Sequence, residues 1–254
     1  MKKTIALLLA LLCAFSALAL TSCDVSAYDL YTKGVKTFTE AKSADVKMTT
    51  TAKMNLGGST SNTTTTVVNV KMNGKNFSMT SDMLNIVYVD GILYNSITLG
   101  GESMKTKSAV SEEDALKALG GDSSVAPDDM FPTITEADLK DVKVEKKDGK
   151  KTITTALSDS AIKKITDSMA DGSGDETTAA GSVSVKDVMM TVSFDKKDQV
   201  TDLRLTFKMS LSVMGQKVDA EMDILMEVNS INKTEEIKAP ADADQYKEDQ
   251  DLFD

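Results

Sequence analysis

The feature that most constrains the fold is a strict alternation of apolar residues in the last third of the chain. Between Leu203 and Val228, every second residue is apolar on both sides of a central Gly215-Gln216 pair. Period two is the period of a β-strand, and a two-residue loop at Gly215-Gln216 would place Met209 opposite Met222. The pattern predicts a long antiparallel hairpin with one apolar face and one polar face.

Earlier segments repeat this alternation. Residues 44–56 form one such strand, and three later pairs of strands are joined by dipeptides that are typical of two-residue hairpin turns. The expected pairs are Val70 with Phe77 across Asn73-Gly74, Tyr88 with Leu93 across Asp90-Gly91, Val144 with Ile153 across Asp148-Gly149, and Met190 with Leu205 across a longer loop at 196–199. The segment around Asp90 is apolar on both faces, which indicates strands that are covered on both sides.

Three segments have helical spacing: residues 28–42, 112–119 and 161–169. A sheet of ten-residue strands with one apolar face must cover that face by closing, by pairing with a second sheet or by holding helices against it. Two short helices and one longer helix are too few to cover such a sheet completely.

The amino terminus predicts where the protein is located. Lys2 and Lys3 precede an apolar run over residues 5–20, which is followed by Leu20-Thr21-Ser22-Cys23. These residues resemble the lipobox of bacterial lipoproteins, in which the Cys is acylated and becomes the first mature residue. The resemblance implies a signal peptide at 1–22, lipidation of Cys23, a short tether at 23–27 and a lipid anchor on the extracytoplasmic side of the bacterial cell membrane. The alternative is an ordinary secretory signal in which Cys23 is incidental.

Composition excludes several functions. The chain of 254 residues has no His and only two Cys, which removes His-dependent catalysis, His-ligated zinc and thiolate metal clusters. A net charge of -10 disfavours nucleic acid as a partner. The acidic residues after 239 lack the glycine of a calcium loop, so residues 239–254 are interpreted as an acidic tail. We therefore expect no enzyme activity, no metal and no cofactor.

A basic hairpin tip at 146–151 has two interpretations. Its lysines, Lys146, Lys147, Lys150 and Lys151, either are simply solvated or touch anionic lipid head groups.

The order of the predicted elements resembles the LolA/LolB/LppX group of bacterial envelope proteins. The resemblance is carried by the helix before the first strand, the turn within residues 86–94, the Asp148-Gly149 hairpin and the closing Lys238-Ala239-Pro240. It implies an α+β fold, mainly antiparallel β, in which one domain at 28–238 forms a curved open half-barrel sheet with a few helices on its concave side. It also implies an apolar cavity for acyl chains.

Methionine is abundant, at 15 residues, and is concentrated on the predicted inner face of the sheet. Because Met is flexible and polarizable, such a face suits ligands of varying shape. The predicted ligand-binding residues are Met48, Met54, Val70, Met72, Phe77, Met79, Met190, Leu205, Phe207, Met209, Met222, Ile224 and Met226. In the alternative interpretation these residues fill a core that is short of aromatic residues.

Two functions follow from these alternatives. In the first, a membrane-anchored lipoprotein binds an acyl chain, lipid or lipopeptide for transfer or sequestration. In the second, a non-catalytic structural or interaction lipoprotein with a filled core contacts another envelope protein. The volume of the cavity between sheet and helices distinguishes the two.

Overall fold

The computed structural model describes residues 25–55, 61–118, 131–171, 183–213 and 216–248. The predicted signal peptide and the lipidation site Cys23 lie outside these ranges, as do residues 249–254 of the predicted tail. The anchor therefore stays a prediction, as does the division of the chain at 22, 27 and 238.

Within the described residues, three α-helices and twelve strands follow one another along the chain. The helices are α1 Ala27–Thr39, α2 Glu112–Ala118 and α3 Asp159–Asp171. The strands are β1 Ser43–Asn55, β2 Ser61–Asn73, β3 Asn76–Thr80, β4 Leu84–Val89, β5 Ile92–Leu99, β6 Glu102–Ala109, β7 Leu139–Lys147, β8 Lys150–Leu157, β9 Val183–Phe194, β10 Val200–Val213, β11 Gln216–Ile231 and β12 Lys247–Glu248. Helix α1 ends three residues before the predicted end at 42.

All twelve strands belong to one sheet, in the order β12-β6-β5-β4-β3-β2-β1-β11-β10-β9-β8-β7. Every neighbouring pair is antiparallel except β12 and β6, which are parallel. The sheet grows from β1 in both directions and ends at β7 and β12, so it is open. The predicted fold class, α+β with a mainly antiparallel open half-barrel sheet and a few helices, is confirmed.

Three of the predicted registers are confirmed. Tyr88 lies opposite Leu93, Val144 opposite Ile153, and Met190 opposite Leu205. The Asp-Gly turns at 90–91 and 148–149 have positive φ at both residues, as a type I′ turn requires. A bulge at Asp187, whose φ is +56°, interrupts the ladder between β9 and β10 beyond this pair.

Two predicted registers are wrong by two residues. Asn73 pairs with Asn76, so the β2–β3 turn is Gly74-Lys75 rather than Asn73-Gly74, and Val70 lies opposite Met79. Only Gly74 of this turn has a positive φ, which fits a turn with Gly at its first position. Asn73 is kept in the ladder, and its side-chain amide donates hydrogen bonds to two carbonyl oxygens of the chain after β11, at Thr234 and Glu235.

The β10–β11 hairpin has the same error. Val213 pairs with Gln216, which places Met209 opposite Ala220 and Phe207 opposite Met222. A slip of two residues leaves every side chain on its predicted face, so the alternation could not exclude it.

The inner face of the sheet, on which Val46 and Met226 lie, carries the main core. Helix α1 crosses it, with Leu30, Tyr31 and Phe38 buried among residues of β1 and β8–β11. Gly34 allows this contact, because a Cβ there would lie 2.7 Å from the Phe194 ring. Helix α2 covers the inner face of β3–β5 through Ala115, in a second buried cluster.

Part of the outer face is covered as well. Ile237 and Tyr246 pack on Val87, Val89 and Tyr94, so β4 and β5 are covered on both sides as the sequence predicts. The predicted acidic tail is therefore docked to the sheet as far as Glu248. We call residues 237–248 the C-terminal strap.

Ion pairs hold the strap to β6. The Lys105 ammonium binds the Asp242 carboxylate, which lowers the pKa of that carboxyl, and Lys107 Nζ lies 3.3 Å from Glu248 Oε1.

Candidate functional site

A cavity of about 280 Å³ lies where α1 leads into β1, beneath the β2–β3 hairpin and beside α2. It opens at the end of the sheet that holds the Gly74-Lys75 turn. Its lining residues are Phe38, Ala41, Lys42, Ala44, Val70, Met72, Gly74, Lys75, Asn76, Phe77, Met79, Glu112 and Leu116. Three separate elements therefore enclose one space.

The walls of the cavity are apolar. Val70, Met72, Phe77 and Met79 form the strand wall, because the register places Met72 opposite Phe77 and Val70 opposite Met79 on the inner face. The Phe77 ring is held by stacking on Tyr88, with 5.3 Å between ring centroids. These four side chains belong to the predicted ligand-binding set.

The helices close the opposite side. Phe38 of α1 is 1 % exposed and packs edge-to-face against Phe131 at 5.1 Å between ring centroids, and Leu116 of α2 also lines the cavity. Sequence reasoning missed both residues. Helical spacing predicts the helices that carry them, but the part of the sheet that each helix covers depends on tertiary packing.

Polar groups are confined to the mouth. Lys42 and Lys75 border it together with Glu112, and Lys75 Nζ lies 4.0 Å from Glu112 Oε2. Burial raises the pKa of the nearby Tyr88 hydroxyl, and the Glu112 carboxylate raises it further. The mouth thus combines two ammonium groups with one carboxylate. The sequence indicated Glu112 only as the first residue of a helix.

The remaining predicted ligand-binding residues share the inner face but do not line this cavity. Met190, Phe207 and Met226 are packed core, since Met190 is only 1 % exposed and Met226 2 %. Six others are half-buried on the same face, further from the cavity: Met48, Met54, Leu205, Met209, Met222 and Ile224. A ligand-binding role for any of the thirteen residues stays a prediction.

A second depression, on the outer face, has a different character. Eight of its ten lining residues are polar residues of β1, β2, β9, β10 and β11, and the other two are Phe207 and Met222 of the predicted ligand-binding set. Arg204 Nε donates to Asp223 at 2.9 Å, and Lys208 Nζ lies 3.0 Å from Asp187. These contacts hold the pKa of both carboxyls below the usual range. Because its charges are already paired, this depression is a weaker candidate site than the apolar cavity.

Among the residues that the structure describes, no cluster of three Asp, Glu, Cys or His side chains could hold a metal ion. None of the described helices combines the length and the apolarity needed to cross a membrane.

One buried carboxylate has a structural role. Asp138 accepts hydrogen bonds from the Ser158 hydroxyl at 2.6 Å and from Thr135, which hold its pKa well below the usual range. Since the Ser158 hydroxyl also accepts from the Ala161 N–H, Asp138 stabilises the start of α3.

Comparison with known proteins gives one family match. A family described as "Family of unknown function (DUF6612)" matches residues 93–248, from β5 to the end of the C-terminal strap. No curated protein matches the chain.

Several solved structures resemble the chain at low identity. A LolA superfamily protein from Nitrosomonas europaea is 12 % identical, with coverage of 81 % of this chain and 94 % of that chain and a TM-score of 0.24. A DUF1329 family protein from Desulfovibrio piger is 13 % identical, with coverage of 80 % and 91 % and a TM-score of 0.22. A putative outer membrane lipoprotein-sorting protein domain from Vibrio parahaemolyticus is 10 % identical, with coverage of 82 % and 93 % and a TM-score of 0.21. Function has to be inferred from the geometry of the chain itself.

Proposed function

This chain belongs to the DUF6612 family of unknown function, and we propose that it is a membrane-anchored cell-envelope lipoprotein that binds a hydrophobic ligand for transfer or sequestration. The observation that carries the proposal is the apolar cavity between the β2–β3 hairpin, α1 and α2. Its volume of about 280 Å³ is close to the lower end of the range of small-molecule pockets, roughly 300–1,000 Å³.

The volume and the lining favour a single acyl chain. Met72 and Met79 are unbranched and flexible, so the strand wall can adapt to a bent alkyl chain. Phe38 and Leu116 give the opposite wall the same apolar character. A ligand that displaces water from these walls gains about 25 cal/mol for each Å² of apolar surface that is buried.

The predicted anchor would bring this cavity close to a source of such chains. Cys23 precedes Ala27, the first residue of α1, by only four residues. Even a fully extended tether of this length spans at most about 14 Å. An acylated Cys23 would therefore hold the domain against the bilayer, from which a lipid or lipopeptide could enter the cavity.

Two measurements test the proposal. Mass spectrometry of organic extracts from the purified mature protein is expected to show a co-purifying lipid, and cis-parinaric acid, a fatty acid that fluoresces in apolar surroundings, is expected to bind. Leu116→Trp should weaken that binding at least tenfold, because the indole ring would occupy the cavity. Leu99→Trp is the matched control, since Leu99 is 62 % exposed and does not line the cavity.

Two outcomes would contradict ligand binding. One is the absence of both lipid and probe binding in a correctly folded protein. The other is an equal effect of the two tryptophan variants. Either result would favour the alternative of a non-catalytic structural or interaction lipoprotein, whose envelope partner crosslinking would then identify.

A further inference from the structure

Two turns that are distant in sequence lie side by side at one end of the sheet. They are the β7–β8 turn at Asp148-Gly149 and the β9–β10 turn at 195–199. The Lys196 side chain lies across Gly149, where a Cβ would be 3.0 Å from Lys196 Cε. The two turns thus form one surface, and we call Lys147, Lys150, Lys196 and Lys197 the basic corner.

The ammonium groups of the basic corner are exposed and unpaired. Among the described residues, no acidic side chain lies within ion-pair distance of any of the four. The two acidic residues of the β9–β10 turn are already engaged. Asp198 binds Lys33 at 2.9 Å and Lys151 at 2.6 Å, and Asp195 accepts two backbone N–H groups of its own turn.

This local charge is opposite to that of the whole protein. Segments 145–151 and 195–199 together hold six lysines and four acidic residues, whereas the chain as a whole has a net charge of -10. Lysines on edge strands also discourage aggregation, and Lys140 and Lys143 of the edge strand β7 fit that explanation. Of the basic corner only Lys147 belongs to β7, so protection of the edge does not account for Lys150, Lys196 and Lys197.

The basic corner is also close to the predicted anchor. Lys33 of α1 reaches Asp198 in the β9–β10 turn, and Lys33 is six residues after Ala27, the start of the helix, a rise of about 9 Å. With a tether from Cys23 of at most about 14 Å, the lipid attachment point would lie within about 25 Å of the Lys33 backbone, whose side chain reaches the β9–β10 turn of the corner.

We propose that the basic corner binds the phosphate head groups of anionic lipids in the membrane to which the chain is anchored. The inference rests on the anchoring part of the proposed function. The Gly74-Lys75 turn, at the mouth of the cavity, belongs to the same end of the sheet as the basic corner. Contact of this end with head groups therefore orients the cavity mouth toward the bilayer.

The test uses the mature, acylated protein in vesicles of phosphatidylcholine, with or without one third phosphatidylglycerol. Acetylation of each lysine by an activated ester is measured by mass spectrometry. The four lysines of the basic corner should react at least threefold more slowly when phosphatidylglycerol is present, and 0.5 M NaCl should remove this protection. Lys186 and Lys247, which are exposed elsewhere on the sheet, should react equally in both kinds of vesicle.

A pair of variants gives the matched control. Lys147→Glu with Lys197→Glu should abolish the protection of Lys150 and Lys196, whereas Lys186→Glu with Lys247→Glu, the same change in charge, should preserve it. Equal reactivity of the corner in both kinds of vesicle, or equal effects of the two double variants, would overturn the inference. The mass of the amino-terminal peptide reports acylation of Cys23 separately. If Cys23 is not acylated, the anchor is wrong, and co-sedimentation with the same vesicles decides whether the corner binds them.

Discussion

Replacing Gly34 by Ala tests how α1 is seated on the sheet. A Cβ at position 34 would lie 2.7 Å from Cε1 of Phe194 and 2.8 Å from Cγ2 of Val200, well inside the optimum of about 3.5–4.0 Å for carbon atoms. Both partners are buried, Phe194 at 0 % and Val200 at 2 % exposure, so neither can move into solvent. The substitution therefore forces α1 away from the face on which Phe38 closes the cavity.

Two opposing effects set the size of the change. Ala is favoured over Gly within a helix by about 1 kcal/mol. Overpacking a rigid core costs about 1–3 kcal/mol, and the two contacts below 3 Å place this site at the upper end of that range. The net expectation for Gly34→Ala is a loss of about 2 kcal/mol in the free energy of unfolding. In a domain of this length, the melting temperature should fall by roughly 4–8 °C.

Thermal unfolding of the purified protein, followed by circular dichroism, measures this change. A double-mutant cycle with Val200→Ala tests the cause, because removing the Val200 methyl groups makes room for the new Cβ. The two substitutions should be coupled favourably by about 1 kcal/mol. A higher melting temperature for Gly34→Ala, or strictly additive effects, would show that the proposed contact does not limit the packing of α1.

Three further predictions concern the inner face, the buried carboxylate and the C-terminal strap. Met226→Lys should prevent folding because the Met226 side chain is 2 % exposed, whereas Met222→Lys, at a half-buried position, should lower the free energy of unfolding by about 1–2 kcal/mol. Equal losses of stability for the two variants in denaturant titration would refute this distinction. Hydrogen bonds hold the pKa of Asp138 below its usual value of 3.8, so the ionised carboxylate stabilises the fold fully above that pH and less as the pH falls further. Asp138→Asn should therefore lose less stability at acid pH than the parent protein does, and the same dependence of stability on pH in both proteins would contradict this. Tyr246→Ala removes an edge-to-face contact with Tyr94, whose ring centroid lies 5.3 Å away, and should speed amide hydrogen exchange in β6 with little effect on β9–β11. Unchanged hydrogen exchange in β6 would show that the strap is held by its ion pairs alone.

The strands and their faces could be predicted because they depend on local patterns. Alternation assigns each residue of β10 and β11 to a face, and the Asp-Gly pairs fix two turns because they tolerate positive φ at both positions. The same periodicity could not detect the two-residue slip at Val213–Gln216, since an even shift leaves every face unchanged.

Other features depend on contacts between distant segments. Ile237 and Tyr246 are isolated apolar residues in an acidic segment with no period, so nothing in that segment indicated that it packs on β4 and β5. The cavity likewise depends on the distance between α1, α2 and the sheet, which the amphipathic spacing of a helix does not specify. Four of its lining residues could be predicted from their inner-face positions, whereas Phe38 and Leu116 required the packed structure.

The position of β1 in the middle of the sheet has a consequence for how the protein folds. From β1 to β6, and again from β7 to β11, each strand pairs with its neighbour in sequence, so either half can form by local hairpin steps. The pairing of β1 with β11 is different, because it joins residues 44–55 to residues 219–231 and so closes a loop of more than 160 residues. Loop closure over such a length is entropically costly and slow, so we expect this pairing to form last. During synthesis it has to wait until Ile231 is available, and until then both the first strand and the eleventh remain free edges on which another chain could pair.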